Sequence, residues 1–324
     1  MCGIAGVVCR DSPPENLPEI LRRMQSCLVH RGPDGRGIYI SRDGQAGLVH
    51  TRLAILDLSP SGHQPMASAE GRYHVVFNGE IYNFRELREE LEAEGEQFHT
   101  QSDTEVLLRT YQRYGPDCVR EFAGMFAFAI WDELERTCFL ARDPLGVKPL
   151  YYCVHNGQLA FASELRALVR SDMTSGRLSR SALLGYLLFG SVQEPETMVE
   201  GVRELPAGSY LLWQQGDCYE RKFYDVEFRS DPPADLEAVA ATGAALEESI
   251  RRHFVSDVPV GIFLSGGIDS TALVALARRV GIARVRTFSI SFDSPALNEG
   301  EVAARTAHHF QTDHYDWRMG ATEG

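Results

Sequence analysis

The sequence predicts two domains of different class: an α+β domain of layered sheets and helices over residues 2–224, and an α/β domain with a parallel sheet over residues 236–324. Three observations carry this. A length of 324 residues exceeds what one ordinary core holds. The first two hundred residues alternate short strand patterns with Gly/Pro/Asp turns and contain only a few helical stretches. Beyond a polar connector at 225–235, helical and apolar strand patterns alternate, as crossover helices over a parallel sheet require.

Residues 3–8 form an apolar run at the start of the chain and read as a buried strand that holds the terminus rigidly. Asn83 offers a capping side chain with Glu86 three residues later; Leu87 and Leu91 share one helical face, and Gly95 stops the helix. Ser102 and Glu105 repeat the capping box, and Val106, Leu107 and Tyr111 keep helical spacing until Gly115. The aromatic and alanine-rich segment 122–131 reads as a strand buried on both faces, paired with 137–141 as a hairpin across 132–136. The connector contains Arg229-Ser-Asp-Pro-Pro233, which can continue neither a helix nor a central strand. After it come helix 236–253, strand 258–264, a glycine turn, helix 270–280, strand 285–292, helix 299–310 and strand 312–317.

Composition narrows the function classes. With 44% hydrophobic and 24% charged residues the chain is globular. Its net charge of −13 and lack of any Lys/Arg cluster argue against nucleic acid as a partner. The acidic run from Glu86 to Glu96 is a solvated helix face. No basic leader and no run of about 18 apolar residues is present, so neither export nor a membrane span is expected. Seven cysteines without CxxC spacing argue against a disulfide framework and place the protein in a reducing compartment, the cytoplasm.

Cys2 carries the first candidate chemistry. A small residue at position 2 favours removal of Met1, which leaves a thiol and an α-amine on one residue. The free amine, with an ordinary pKa of about 7.7–8.0, can take the thiol proton directly or through water, replacing the histidine of a triad. Standing alone, a cysteine beside a buried strand is a small core residue. Its sequence context changes that reading.

Cys2-Gly-Ile-Ala-Gly6, His30-Arg-Gly-Pro-Asp34, His50-Thr-Arg-Leu-Ala-Ile55, Phe77-Asn-Gly-Glu-Ile-Tyr-Asn83 and Ser102-Asp-Thr-Glu105 occur in this order. Together they resemble the class II glutamine amidotransferases of the N-terminal-nucleophile (Ntn) hydrolase fold. Ala141-Arg-Asp-Pro-Leu-Gly-Val-Lys-Pro-Leu-Tyr-Tyr152 and Phe161-Ala-Ser-Glu164 extend the resemblance to the glutamine-dependent asparagine synthetase family. The resemblance implies an αββα sandwich over residues 2–224, in which Cys2 attacks the glutamine amide, forms a thioester and releases ammonia. Asn78 and the Gly79 N–H can donate to the oxyanion, although Asn-Gly alone signals a hairpin turn. Arg52 can fork onto the glutamine carboxylate, and Glu80 and Asp103 can accept from its ammonium. A surface ion pair is the alternative for Arg52 and Glu80, and helix capping for Asp103. His30 sits in a loop and is not needed as a base.

Val260-Gly-Ile-Phe-Leu-Ser-Gly-Gly-Ile-Asp-Ser-Thr271 places an apolar strand before Ser265, Gly266 and Gly267 and a helix after them. Backbone N–H groups, the hydroxyls of Ser265 and Ser270 and the helix terminus can wrap an anion there. The Walker spacing and its lysine are absent. The segment resembles the SGGxDS pyrophosphate loop of ATP-dependent amidating and adenylating ligases, which implies an ATP-pyrophosphatase domain, ATP with Mg2+ as substrate complex, and no prosthetic group. By that resemblance Asp269 lies near the Mg2+, while Leu264 and Ile290 lie where adenine is held, sheet core being their alternative. His308, His309 and His314 lack the spacing of a metal site.

The resemblance thus implies an asparagine synthase (glutamine-hydrolysing) type ligase with glutamine, aspartate and ATP as partners, and a homodimer. An amidotransferase for another acceptor, a glutaminase subunit and a degenerate binding protein are the alternatives. The family's synthetase domain continues well beyond Gly324, so residues 236–324 read as its N-terminal part, and glutamine hydrolysis without asparagine formation is the expectation.

Overall fold

A computed structural model describes residues 1–11, 14–228, 234–294 and 298–320. The connector Arg229–Pro233 lies outside the described residues. The chain divides into two compact units, Met1–Glu227 and Phe228–Gly324.

The first unit begins β1 (Gly3–Val8), α1 (Leu17–Leu28), β2 (Gly35–Ile40), β3 (Ala46–Arg52), β4 (Met66–Ala67), β5 (Tyr73–Ile81), α2 (Phe84–Ala93) and α3 (Asp103–Tyr114). It continues β6 (Gly124–Asp132), β7 (Thr137–Arg142), β8 (Tyr151–His155), β9 (Gln158–Ala162), α4 (Leu165–Val169), α5 (Arg180–Phe189), β10 (Val202–Glu204), β11 (Ser209–Gln214) and β12 (Asp217–Lys222). Two antiparallel sheets result, with orders β10-β8-β9-β1-β3-β2 and β12-β11-β7-β6-β5-β4.

Strand alternation builds the layers. Ile4 and Val8 of β1 join Leu48, Val76, Trp131, Leu211 and Trp213 in a core between the sheets. Ala5 and Val7, on the opposite face, join Leu17, Leu21, Met24 and Leu28 of α1. On the far side of the second sheet α3 packs on β5, with the Tyr111 ring 5.3 Å from that of Phe139. The order is therefore helix, sheet, sheet, helix. The hairpin β6–β7 has the expected pairing, Asp132 opposite Thr137 and Trp131 opposite Cys138.

Two helix starts differ from expectation. Asn83 makes no side-chain cap to α2; its Oδ1 accepts from Ala123 N–H and its Nδ2 donates to Glu121 O, both at 2.8 Å, tying the helix to the approach of β6. At α3 the Ser102 hydroxyl does accept from Thr104 N–H at 3.1 Å. Glu105, however, accepts from His99 and Thr100 N–H instead of closing the box onto Ser102. The Asn83 amide and the Glu105 carboxylate thus take loop partners that compete with the local cap.

The second unit holds α6 (Asp235–His253), β13 (Gly261–Phe263), α7 (Ile268–Arg279), β14 (Arg286–Phe292), α8 (Gly300–His309) and β15 (Asp313–Met319). Its three strands are parallel in the order β13-β14-β15. The first strand is shorter than its apolar run, because only Gly261–Phe263 face a β14 partner. Ile250, Ile262, Val274, Ala277, Ala303 and Ala307 make its core.

Candidate active site

Cys2 precedes β1, which is buried throughout and flanked by β3 and β9. Gly3 must be small: a Cβ there would lie 2.6 Å from Thr51 Oγ1 and 2.9 Å from Leu28 Cβ. The Cys2 Sγ accepts from Leu53 N–H at 3.3 Å and lies 3.7 Å from Leu53 O. Arg31 Nε donates to Cys2 O at 2.9 Å, so the His30–Asp34 loop holds the residue's backbone. His30 itself pairs with Glu164 at 2.7 Å. Burial raises the Cys2 thiol pKa and the Leu53 N–H opposes it; burial lowers the pKa of the Met1 amine.

Asn78 and Gly79 lie within β5 opposite Ala127 and Phe126, not in a hairpin turn. A Cβ at Gly79 would lie 2.3 Å from Met125 O, so the backbone there closes onto β6 with no room for a side chain. Asn78 is 1% exposed, and neither its Nδ2 nor its Oδ1 has a hydrogen-bond partner. An unpaired buried amide costs about 1–3 kcal/mol, a strain that a ligand accepting from it would relieve.

Arg52 ends β3 with its guanidinium donating to the carbonyls of Leu56 (3.3 Å), Ser59 (3.0 Å) and Asp57. Gly62 makes this possible, since a Cβ there would lie 2.2 Å from Arg52 Nη2. The fork is thus fixed by a loop. The Asp57 carboxylate folds that loop through Ser59 N–H and ties it to Gln101 N–H at 3.0 Å.

Asp103 opens α3 and is buried; its Oδ2 accepts from Ile81 N–H at 3.2 Å. Burial pushes its carboxyl up to about 7, with the Ile81 N–H opposing and the neighbouring Glu80 charge adding to the rise. His50, wholly buried beneath β5 and bonded to Phe77 O at 3.1 Å, is held neutral by burial, down to about 3.

Cys2, Arg52, Asn78, Gly79, Glu80 and Asp103 all line one pocket, of about 110 Å³. Cation, carboxylates, amide and thiol converge there, a donor set suited to a zwitterion with a reacting amide. Two further residues line it: Gln64, which carries no local sequence signal, and Lys148, whose own segment Ala141–Tyr152 does not indicate a place in the pocket. Gln64 is buried, accepts from Phe77 N–H at 2.7 Å and donates to Thr104 Oγ1 at 3.0 Å, bridging β5 to α3.

In the second unit, Leu264 extends β13 through a 2.8 Å bond to Phe288 O. Ser265 N–H donates to Ser270 Oγ, and Gly267 N–H to Ser265 Oγ, each at 3.1 Å. Gly266 N–H donates to Glu299 Oε2 at 2.9 Å, so a carboxylate occupies an anion-binding position of the loop. Leu264, Ser265 and Ile290 line a second pocket with Phe288 and Glu299, whereas Gly266, Gly267, Asp269 and Ser270 do not. Ile290 is exposed and is not core. Asp269 is exposed in the first turn of α7. His308 and His309 end α8, and His314 Nδ1 bonds Thr287 Oγ1 at 3.0 Å.

Comparison with known proteins adds ancestry to this geometry. The glutamine amidotransferase domain model matches residues 1–224, and the asparagine synthase model matches residues 241–324. Asparagine synthetase [glutamine-hydrolyzing] 1 of Bacillus subtilis is 38% identical over 312 residues, covering 95% of this chain and 48% of the relative. A putative asparagine synthetase [glutamine-hydrolyzing] 2 of Methanocaldococcus jannaschii is 35% identical, covering 98% of this chain and 64% of the relative. The chain thus spans about half to two thirds of the length of these curated relatives. Among solved structures, glutamine phosphoribosylpyrophosphate amidotransferase from B. subtilis matches with a TM-score of 0.53 at 16% identity, covering 98% of this chain and 90% of that one. At this identity the likeness shows the fold, the αββα sandwich of Ntn hydrolases.

Proposed function

The chain belongs to the glutamine amidotransferase family, and from that premise we propose that residues 2–224 hydrolyse glutamine at Cys2 once Met1 has been removed. The thiol proton passes to the α-amine, and the sulfur adds to the side-chain amide carbon. Asn78 Nδ2 and the Gly79 N–H receive the oxyanion. Collapse expels ammonia, which takes a proton from the amine, and leaves a γ-glutamyl thioester that water cleaves to glutamate. Arg52 holds the substrate carboxylate with donors that its loop leaves over, three of the guanidinium's five being used on carbonyls. Glu80 and Asp103 hold the ammonium.

The observation that carries this reading is the buried, unpartnered Asn78 amide in one pocket with Cys2, Arg52 and Asp103. It is tested by glutamate release from protein whose N-terminus has been sequenced as Cys2. Cys2→Ala removes little volume and should abolish release while folding persists; wild-type turnover in that variant would refute the nucleophile.

Residues 225–235 are then a linker and 236–324 the N-terminal part of an ATP-binding synthetase domain, supported by the family match from residue 241. The proposed partners are ATP, held at Leu264–Ser270 and Ile290, and aspartate, whose carboxylate would be adenylated and then take the ammonia. Aspartate rests on the relatives' names. Asp269 fits a Mg2+ that arrives with nucleotide phosphates, since one exposed carboxylate with phosphate oxygens suffices for that ion, and the described residues contain no group of three acidic, His or Cys ligands. When bound, the ion would neutralise phosphate charge. A cytoplasmic setting agrees with seven free cysteines and with no described helix long and apolar enough to cross a membrane. The homodimer is proposed on family resemblance.

A further inference from the structure

The segment Arg142-Asp-Pro-Leu-Gly-Val-Lys148 has a structural logic of its own. The Asp143 carboxylate accepts from the N–H groups of Leu145 (3.1 Å), Val147 (2.9 Å) and Lys148 (2.9 Å). Gly146 turns the chain at a φ of 66°, in the left-handed region that suits glycine. Arg142, buried, donates to Lys148 O at 2.9 Å and to Gly146 O at 2.7 Å. Two adjacent side chains at the start of the loop therefore pin the backbone of its last residue.

What the loop delivers is a lysine that is 3% exposed and faces the glutamine pocket. Among the described residues no carboxylate lies within salt-bridge distance of its Nζ, which instead meets the Met1 thioether at 3.1 Å. A thioether is a weak acceptor for an ammonium, and removal of Met1 takes it away. Buried lysines are seldom left so poorly paired without a use for the charge.

We propose that Lys148 is a positioning residue for the nucleophile: its buried ammonium, presented beside residue 2, favours loss of the one proton that converts the Cys2 amine–thiol pair from its inactive to its reactive form. This rests on the glutaminase reading above. The pair carries one positive charge as ammonium and thiol, and none after that proton leaves, whichever atom gives it up. A fixed cation nearby favours the lower charge.

Other charged groups act on the same end of the chain. With Met1 in place, Arg31 from the turn after α1 repels a cation at the Met1 amine, as Lys148 does, and Asp34 attracts one. Arg52 and Asp103 act on the thiol in opposite senses. Glu80 and Asp143 support the charged form of Lys148 against burial, which lowers its pKa. The position thus adds a cation where carboxylates that bind substrate would otherwise hold the proton on.

The test compares processed wild type, Lys148→Met and Lys148→Arg by two pH profiles. One is kcat/KM for glutamine; the other is the rate of Cys2 alkylation by iodoacetamide, read on the N-terminal peptide by mass spectrometry. For Lys148→Met both acid limbs should move up by roughly 0.5–1 pH unit, with rates converging on wild type at high pH. Lys148→Arg should follow wild type. An unshifted limb with a uniform loss of rate would overturn the proposal, as would a rise in KM alone. Lys148→Gln is read in the same way should Lys148→Met fail to fold. If wild type turns over no glutamine, the glutaminase reading falls, while the alkylation profile still decides on Lys148.

Discussion

At the scale of single residues, the proposed site leaves a buried polar group unsatisfied where a substrate would satisfy it. Asn78 is the clearest case. Asn78→Ala should lower kcat by on the order of 10²-fold with a small change in KM, because its donor is used most fully by the oxyanion; unchanged kcat would remove it from that role. Asp103 makes a prediction about pH. Burial pushes its carboxyl up to about 7, and a bound ammonium would favour the charged form. Binding therefore lowers its pKa, and glutamine should bind more tightly as pH rises through 7 and level off above. KM measured from pH 6 to 8.5 checks this, and Asp103→Asn should flatten that dependence while raising KM.

The members of the pocket are legible in the sequence where a residue type and its neighbours mark them. Cys2, Asn78-Gly79-Glu80 and Asp103 sit in short motifs. Gln64 and Lys148 were not legible, since what they do depends on contacts 40 and 147 residues away. A glutamine in a loop, or a lysine within a longer motif, says nothing of the distant residue it will meet.

At the scale of elements, periodicity found β1, the β6–β7 hairpin and the alternation of the second unit, because a strand or helix face is written locally. The cap of α2 and the Glu105 half of the box at α3 differ from expectation for the opposite reason, whereas the Ser102 cap of α3 forms as expected. Asn83 and Glu105 bond across to other segments, a tertiary outcome that local capping rules do not contain. Gly79 belongs here as well. Gly79→Ala should destabilise the first unit by roughly 1–3 kcal/mol through overpacking of β5 on β6, measured by urea unfolding; neutral stability would mean the strands part more easily than their contact indicates. Gln64→Leu should leave the Phe77 N–H unpaired and loosen the approach of α3 to β5. Its expected mark is a lower kcat together with a raised KM, since Asn78 follows and Asp103 precedes a residue that it braces.

At the scale of the whole molecule, the two units differ in class as the sequence predicts, with antiparallel sheets stacked in the first and a parallel sheet in the second. The second unit's exposed Phe263, Ile290 and Trp317 lie on β13, β14 and β15, and no pattern in the strands alone distinguishes that face from the buried one carrying Thr287, Ser289 and Ser291. If the domain boundary is right, limited proteolysis within 225–235 should release a fragment that retains glutaminase activity; loss of all activity on that cut would contradict an autonomous amidotransferase domain.

The most direct measurement is intact and peptide mass spectrometry of processed protein quenched in acid during turnover of glutamine. The account predicts that the N-terminal peptide gains the mass of glutamine less ammonia, that the adduct is lost to hydroxylamine as a thioester is, and that Cys2→Ala shows none. Steady glutamate production with no adduct on Cys2, or an adduct on another cysteine, would contradict it.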